Sequence, residues 1–388
     1  MSNTRARLIW ALLPLGLLAV LTVGVAGSGV LDFLRGGAPP VEELTIERVT
    51  LVPGSMRLTV VNGGPDPVTV AQVTVDDAFW NFSIEPGATV GRLRRATIEI
   101  PYPWVEDEAH VVTLLTSSGA TFSHEIAVAR ETPTLDARFF GTFTLIGLFV
   151  GVLPIAIGLL WYPLLRSLDQ RWLHFILALT AGLLIFLGAD AIHEALESGA
   201  SLAGAYQGTL IVLVGSVGTL LFLQAVAGAR ARREGAAGRR AVAWLIALGI
   251  GLHNLGEGLA IGAAYSLGEA ALGAFLVVGF MLHNSTEGLA IVAPIARDRP
   301  RLATLAGLGA LAGVPTIAGA WIGGVAYSPT FATLFLSIGA GAIAQVVIVL
   351  YRVVARETEA QGLWTPLTAG GLVAGMLVMY GTGLLVAG

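Results

Sequence analysis

Nine apolar runs, each long enough to cross a bilayer as a helix, constrain this chain more than any other feature. They fall at about 8–29, 139–162, 172–197, 206–228, 241–265, 270–293, 302–325, 329–351 and 365–387. A helix needs roughly 20 predominantly apolar residues to span the hydrocarbon, where every backbone polar group must be satisfied within the segment. Composition agrees: 55% of the 388 residues are hydrophobic and 12% are charged, against about a quarter charged in an ordinary soluble domain. A mainly α membrane protein is predicted.

The first run stands apart from the other eight. It follows Arg5 and Arg7, is long for a signal peptide, and has no clean A-x-A cleavage site after it. Residues 1–35 are therefore expected to be an uncleaved signal-anchor helix. Between this run and the next, residues 40–135 change character. Alternating, β-branched segments (Arg57 to Asn62, Pro67 to Asp76, Ala96 to Ile100, His110 to Thr116 and Thr121 to Val128) are separated by turn signals such as Asn62-Gly63-Gly64-Pro65 and Glu85-Pro86-Gly87. Short strands at this spacing predict a small antiparallel β-sandwich. Its two polar clusters, Glu106-Asp107-Glu108 with His110 and His124-Glu125, read as solvated loop charge rather than metal collectors. The domain has no paired motif, so basal function is expected to survive its deletion.

Charge sets a topology. Basic residues sit in alternate loops: Arg166 and Arg171; Arg230, Arg232, Arg233, Arg239 and Arg240; Arg297, Arg299 and Arg301; Arg352 and Arg356. The intervening loops near 198–205, 266–269 and 326–329 hold no Arg or Lys. The positive-inside rule places the basic loops in the cytoplasm and the β domain and C-terminus outside, as expected of a multi-pass protein of the cell membrane. With a net charge of −4 and no basic patch, no nucleic-acid partner is expected. The absence of cysteine removes disulfides, thiolate metal sites and haem attachment. A metal here would have to be held by His, carboxylate, amide or water.

Ionisable side chains within membrane spans cost about 2.5–3.5 kcal/mol each on insertion scales and are functional candidates by default. They concentrate in three runs: Asp190, His193, Glu194 and Glu197 toward the outer end of the second of the eight; His253, Asn254 and Glu257 midway along the fourth; His283, Asn284 and Glu287 midway along the fifth. His174, at a cytoplasmic helix start, reads as interfacial. The last two sets are an internal repeat: Leu252 to Ile261 reads LHNLGEGLAI and Leu282 to Ile291 reads LHNSTEGLAI. On a helix, His at i and Glu at i+4 share one face. A short connection makes the two helices antiparallel neighbours, so both His-Glu pairs are expected to converge near mid-bilayer. Two imidazoles and two carboxylates suit Zn²⁺, Fe²⁺, Mn²⁺ or Co²⁺. Two carboxylates would neutralise a dication in low dielectric, and the Asn amides would add weak neutral oxygens.

These motifs resemble the ZIP family of divalent metal transporters, whose fourth and fifth helices each carry a His-Asn-x-Pro-Glu-Gly type motif. His253-Asn254-x-x-Glu257-Gly258 and His283-Asn284-x-x-Glu287-Gly288 match it, and Asp190-Ala191-Ile192-His193-Glu194-Ala195 is similar to the second-helix Asp-Leu-Leu-Pro-Glu-Ala pattern. Gly256 and Thr286 replace the motif prolines, Val314-Pro315 stands for a Glu-Pro pair, and Val349-Leu350 for an acidic pair. Over residues 139–388 the resemblance implies an eight-helix, inverted-repeat bundle that is often dimeric. It also implies a transport site of His253, Asn254, Glu257, His283, Asn284 and Glu287. Asp190, His193 and Glu194 are expected along the metal pathway, with Zn²⁺, or Fe²⁺ or Mn²⁺, as transported substrate, moving into the cytoplasm, and no organic cofactor. With no acidic residue at Val314, one bound ion per site is expected. The chain is thus expected not to be an enzyme. The rival reading is a membrane-embedded metal-dependent hydrolase, against which stand the symmetric duplication and the missing second His of an H-E-x-x-H motif at His193-Glu194.

Overall fold

A computed structural model describes residues 2–27, 41–230, 235–266, 270–326, 328–357 and 365–387. It divides into two compact units, residues 1–41 and 42–388. The first holds helix α1, Ser2–Gly27, with Pro14 inside it and an apolar stretch Leu12–Val25 whose side chains are exposed. Residues 28–40, where the expected anchor runs out, lie outside the described residues, as do Arg232, Arg233 and the loop at 267–269.

The second unit begins with nine strands: β1 Leu44–Val52, β2 Ser55–Asn62, β3 Val68–Val75, β4 Ala78–Trp80, β5 Ser83–Glu85, β6 Thr89–Val90, β7 Arg95–Ile100, β8 His110–Thr116 and β9 Thr121–Ile126. They form two antiparallel sheets, ordered β1-β2-β7-β5 and β4-β3-β8-β9, with β6 on β3. Alternation places the core. Every second residue of β8 from His110 is buried, and the inner faces bring together Met56, Leu58, Ile98, Ile100 and Leu114. Register follows from that burial: Leu58 opposes Ile98 and Met56 opposes Ile100, because a slip of one residue would turn the whole apolar set outward. His110 belongs to this interior rather than to the neighbouring acidic loop. Its Nδ1 lies 2.8 Å from Asp76 Oδ2, and Asp76 also accepts from Val111 N–H and Tyr102 Oη–H, each at 2.9 Å. Burial pushes the Asp76 carboxyl up, but these three bonds outweigh it and hold the group below the usual carboxylate range. A bulge at Ile46/Arg48 breaks the β1–β2 register and re-aims the side chains around it.

Eight long apolar helices follow: α2 Ala137–Ser167, α3 Gln170–Ala200, α4 Gly208–Arg230, α5 Gly235–Ser266, α6 Ala270–Val292, α7 Leu302–Ala326, α8 Pro329–Glu357 and α9 Pro366–Ala387. Their length and composition make this a multi-pass membrane protein. Helices in lipid gain little from the hydrophobic effect between them, so small residues that let backbones approach mark the tight contacts. Here those contacts sort the helices into two groups. A methyl on Gly258 of α5 would stand 2.1 Å from Thr316 O of α7, and one on Gly288 of α6 would stand 2.5 Å from Ile155 O of α2. These contacts, with others between α2 and α7, bind α2, α5, α6 and α7 together. In the other group, Gly182 of α3 would meet Leu372 O of α9 at 2.0 Å, and Gly341 of α8 would meet Ser216 O of α4 at 2.1 Å. Between the groups, chiefly where α5 faces α8, the backbone approaches are looser: a methyl on Gly249 would stand 3.2 Å from Ala342 O, and one on Gly256 3.6 Å from Phe335 O.

Candidate metal centre

The site is built on the tightly packed group. His253 and Glu257, one turn apart on α5, sit beside His283 of the antiparallel α6. His253 Nε2 lies 3.0 Å and His283 Nε2 2.5 Å from the same carboxylate oxygen, Glu257 Oε1. All three residues are buried. One atom from each can be chosen so that all lie within 4.8 Å of one another, the single such cluster among the described residues. Neutral imidazole nitrogens and a carboxylate are borderline-soft and hard donors respectively, a set that suits zinc and its first-row neighbours.

The Asn residues of the repeat fasten this cluster to its neighbours. Asn284 donates from Nδ2 to Glu257 Oε2 and to Val150 O, both at 3.0 Å. Val150 lies in a π-helical stretch, Leu148–Val152, inside α2. Such bulges loosen the i→i−4 ladder and recur at functional sites; here one makes a backbone carbonyl available to the site. Asn254 does the equivalent on α7, donating from Nδ2 to Ala312 O at 3.1 Å. Both Asn donors are thus spent on structure, while both Oδ1 acceptors are buried with no hydrogen-bond partner. They can serve as neutral oxygens for a cation.

Symmetric convergence of the two His-Glu pairs is not what this packing produces. Glu287 is buried, neither of its oxygens makes a hydrogen bond of good geometry although the Asn254 amide lies beside it, and it does not join the three-residue cluster. It stands close enough to Glu257 for the two carboxyls to repel. Glu194 feels the same field from Glu257 and from Asp190. Asp190 and Glu194 lie further inward than their place along α3 predicts: with His253, Glu257 and Phe280 they line one small cavity at the boundary between the helix groups. His193 does not line it. Its side chain is 71% exposed and pairs with Glu197 at 3.2 Å. A carboxylate-lined cavity leading to a His-carboxylate cluster can draw in a dication, since arrival of positive charge relieves the mutual repulsion of its walls.

Three features escaped the sequence reading. Val314 is 47% exposed, whereas the buried residue on that turn of α7 is Thr316, whose hydroxyl is unpartnered. Gln345 of α8 is buried with both amide atoms unpartnered; a lone amide in an apolar run was its only signal. The π-helical stretch of α2 leaves no mark in composition.

No family model matches the chain, and no curated protein matches it. Among solved structures, the archaellum periplasmic stator protein FlaG from Sulfolobus acidocaldarius is similar over 22% of this chain and 99% of its own, at 12% identity and a TM-score of 0.20.

Proposed function

We propose that this protein carries divalent transition-metal ions, zinc foremost and iron or manganese with it, across the membrane in the manner of the ZIP family. One observation carries the reading: two antiparallel spans place His253, Glu257 and His283 around one buried point, midway along both helices. A dication in hydrocarbon faces a prohibitive desolvation cost unless charge and donors replace its water. Glu257 supplies one negative charge at the ligand cluster, and Glu287, Glu194 and Asp190 are nearby carboxyls that an arriving dication would help to ionise. One further feature supports transport over hydrolysis. All the candidate ligands lie on one helix group while part of the cavity wall lies on the other, so a movement between the groups changes which side the metal sees.

The positive-inside asymmetry supports a cytoplasmic location for Arg239, at the start of α5, and for the loop holding Arg299, and an outer location for the β domain; uptake toward the cytoplasm is part of the proposal. The test is radiotracer zinc, iron and manganese flux into proteoliposomes, with a hydrolase screen alongside. Uptake by the wild-type protein that His283→Ala abolishes is expected. A wild-type protein that moves none of the three ions, or that hydrolyses a substrate in a metal-dependent way, would overturn the reading.

A further inference from the structure

The β domain is attached to both helix groups, by different means. To the first it is nearly continuous. Leu51 of β1 exchanges two hydrogen bonds with Thr132, N–H to Oγ1 and O from N–H, each at 2.9 Å, just before the chain enters α2. Asp136 then caps that helix by accepting from Phe139 N–H. Arg48, beside the bulge, donates from Nη1 to Val325 O at 3.2 Å. Val325 is among the last residues of α7, where the unpaired carbonyls and the helix dipole favour a cation.

The contacts to the second group are made between residues far apart in the chain, Glu43 with Gly204 and Gly63 with Ala203. Glu43 accepts a hydrogen bond from Gly204 N–H, in the short turn Gly204–Tyr206 that joins α3 to α4. Beside it, Gly63 packs so closely on the same turn that a methyl there would stand 2.7 Å from Ala203 Cβ, and Ala203 is buried. One rigid sandwich therefore spans two helix groups whose own backbone approaches are looser between groups than within them.

We propose that the β domain is a strap: fixed to α2 and α7, it latches onto the α3–α4 turn through Glu43 and Gly63 and restrains sliding of one helix group against the other. The consequence for rate rests on the transport reading above, since only a carrier needs that movement. The restraint itself does not. Because the chain has no cysteine, spin labels can be placed at will on the full-length protein in lipid nanodiscs. Exposed Leu210 of α4 and Ile322 of α7 mark the ends of the two groups nearest the β domain, as Leu210→Cys and Ile322→Cys. Electron–electron double resonance is expected to give one narrow distance distribution with the strap intact. Glu43→Ala, and independently Arg48→Ala, should broaden it or add a second population. An unchanged distribution in both variants overturns the strap, whatever the flux shows. In proteoliposomes, Glu43→Ala should raise initial zinc uptake on the order of tenfold, the scale set by losing one charge-assisted hydrogen bond, with the half-saturating zinc concentration unchanged. Equal or slower uptake by a well-inserted Glu43→Ala protein would overturn its role as a brake. If the wild type moves no metal, the transport reading fails and the distance measurement alone still decides the strap.

Discussion

Helices α5 and α6 carry one ten-residue pattern, differing only at 255/285 and 256/286, yet the two copies do opposite things. In α5, Glu257 meets both histidines and Asn284. In α6, the equivalent Glu287 is buried outside that cluster, with no hydrogen bond of good geometry. The difference does not come from the repeat. It comes from what packs against each copy. Asn284 reaches α2 through the carbonyl that the π-helical stretch offers, and in doing so also holds Glu257 at 3.0 Å; Asn254 bonds Ala312 O of α7 and lies beside Glu287 without a bond of good geometry to it. Within α6, Thr286 turns its hydroxyl back to His283 O at 2.6 Å, where Gly256 of α5 has no side chain at all. A repeat therefore specifies which donors are present, and the third helices decide which carboxylate is engaged.

The most direct way to break this comparison is to remove each carboxylate in turn. Glu257→Ala takes away the atom shared by both imidazoles and is expected to weaken zinc binding at least ~100-fold by calorimetry, the upper scale for disturbing groups around a metal. Glu287→Ala should cost about tenfold, as a nearby charge rather than a ligand of the cluster. Equal losses would mean that the metal-bound site is symmetric after all and that the contacts of Glu257 rearrange on binding.

Close packing offers a second contrast. A methyl on Gly258 would press 2.1 Å from Thr316 O, and one on Gly288 2.5 Å from Ile155 O, both backbone atoms that cannot turn aside. Overpacking costs about 1–3 kcal/mol, so both Gly→Ala variants should lower thermal stability, Gly258→Ala the more. A larger loss from Gly288→Ala would show that α2 and α6, not α5 and α7, form the stiffer pair.

Without metal, the two carboxylates should differ even in sign. Glu257→Gln weakens charge-assisted bonds and should destabilise the metal-free protein by about 2 kcal/mol. Glu287→Gln replaces a buried carboxyl that is crowded by Glu257 with a neutral amide, and should be neutral or stabilising by about 1 kcal/mol. Thermal melts in chelator read both. A destabilising Glu287→Gln would show that Asn254 beside it holds that carboxyl after all.

Much of this was legible beforehand. The eight spans are apolar runs bounded by charged or glycine-rich loops, and the sandwich shows as alternation because each of its faces has one fate. The buried His, Asn and Glu residues were legible because ionisable groups inside spans are costly and these occur twice. What sequence could not supply is helix phase. Asp190 and Glu194 face the cavity and His193 does not, although all three fall within one short stretch, because the packing of α3 against α8 and α9 fixes its rotation. The same holds on α7, where alignment to a motif picks Val314 and packing turns Thr316 inward. Nor does a carbonyl released by a π-helical stretch have any residue type to announce it.

The smallest effect separates the two Asn residues. Each donates to a carbonyl of a neighbouring helix, at 3.1 Å for Asn254 and 3.0 Å for Asn284, but Asn284 alone also donates to the Glu257 carboxylate. A neutral hydrogen bond contributes about 1 kcal/mol net and one to a charged group more, and an acceptor left buried without a donor adds its own desolvation cost. Asn254→Ala leaves Ala312 O with its helical surroundings and should lower stability by about 1 kcal/mol. Asn284→Ala strips Val150 O, inside an already loosened stretch, and one oxygen of Glu257 as well; it should cost about 1 kcal/mol more than Asn254→Ala. The two variants differ in a second way. Releasing Glu257 Oε2 frees the carboxylate to turn away from the imidazoles, so Asn284→Ala should also weaken zinc binding several-fold, whereas Asn254→Ala should leave affinity nearly unchanged. Melts in chelator and calorimetry with zinc measure the two effects separately. If both variants lose the same stability and the same affinity, the engagement of Glu257 does not depend on Asn284, and the asymmetry of the repeat must be set instead by the histidines themselves.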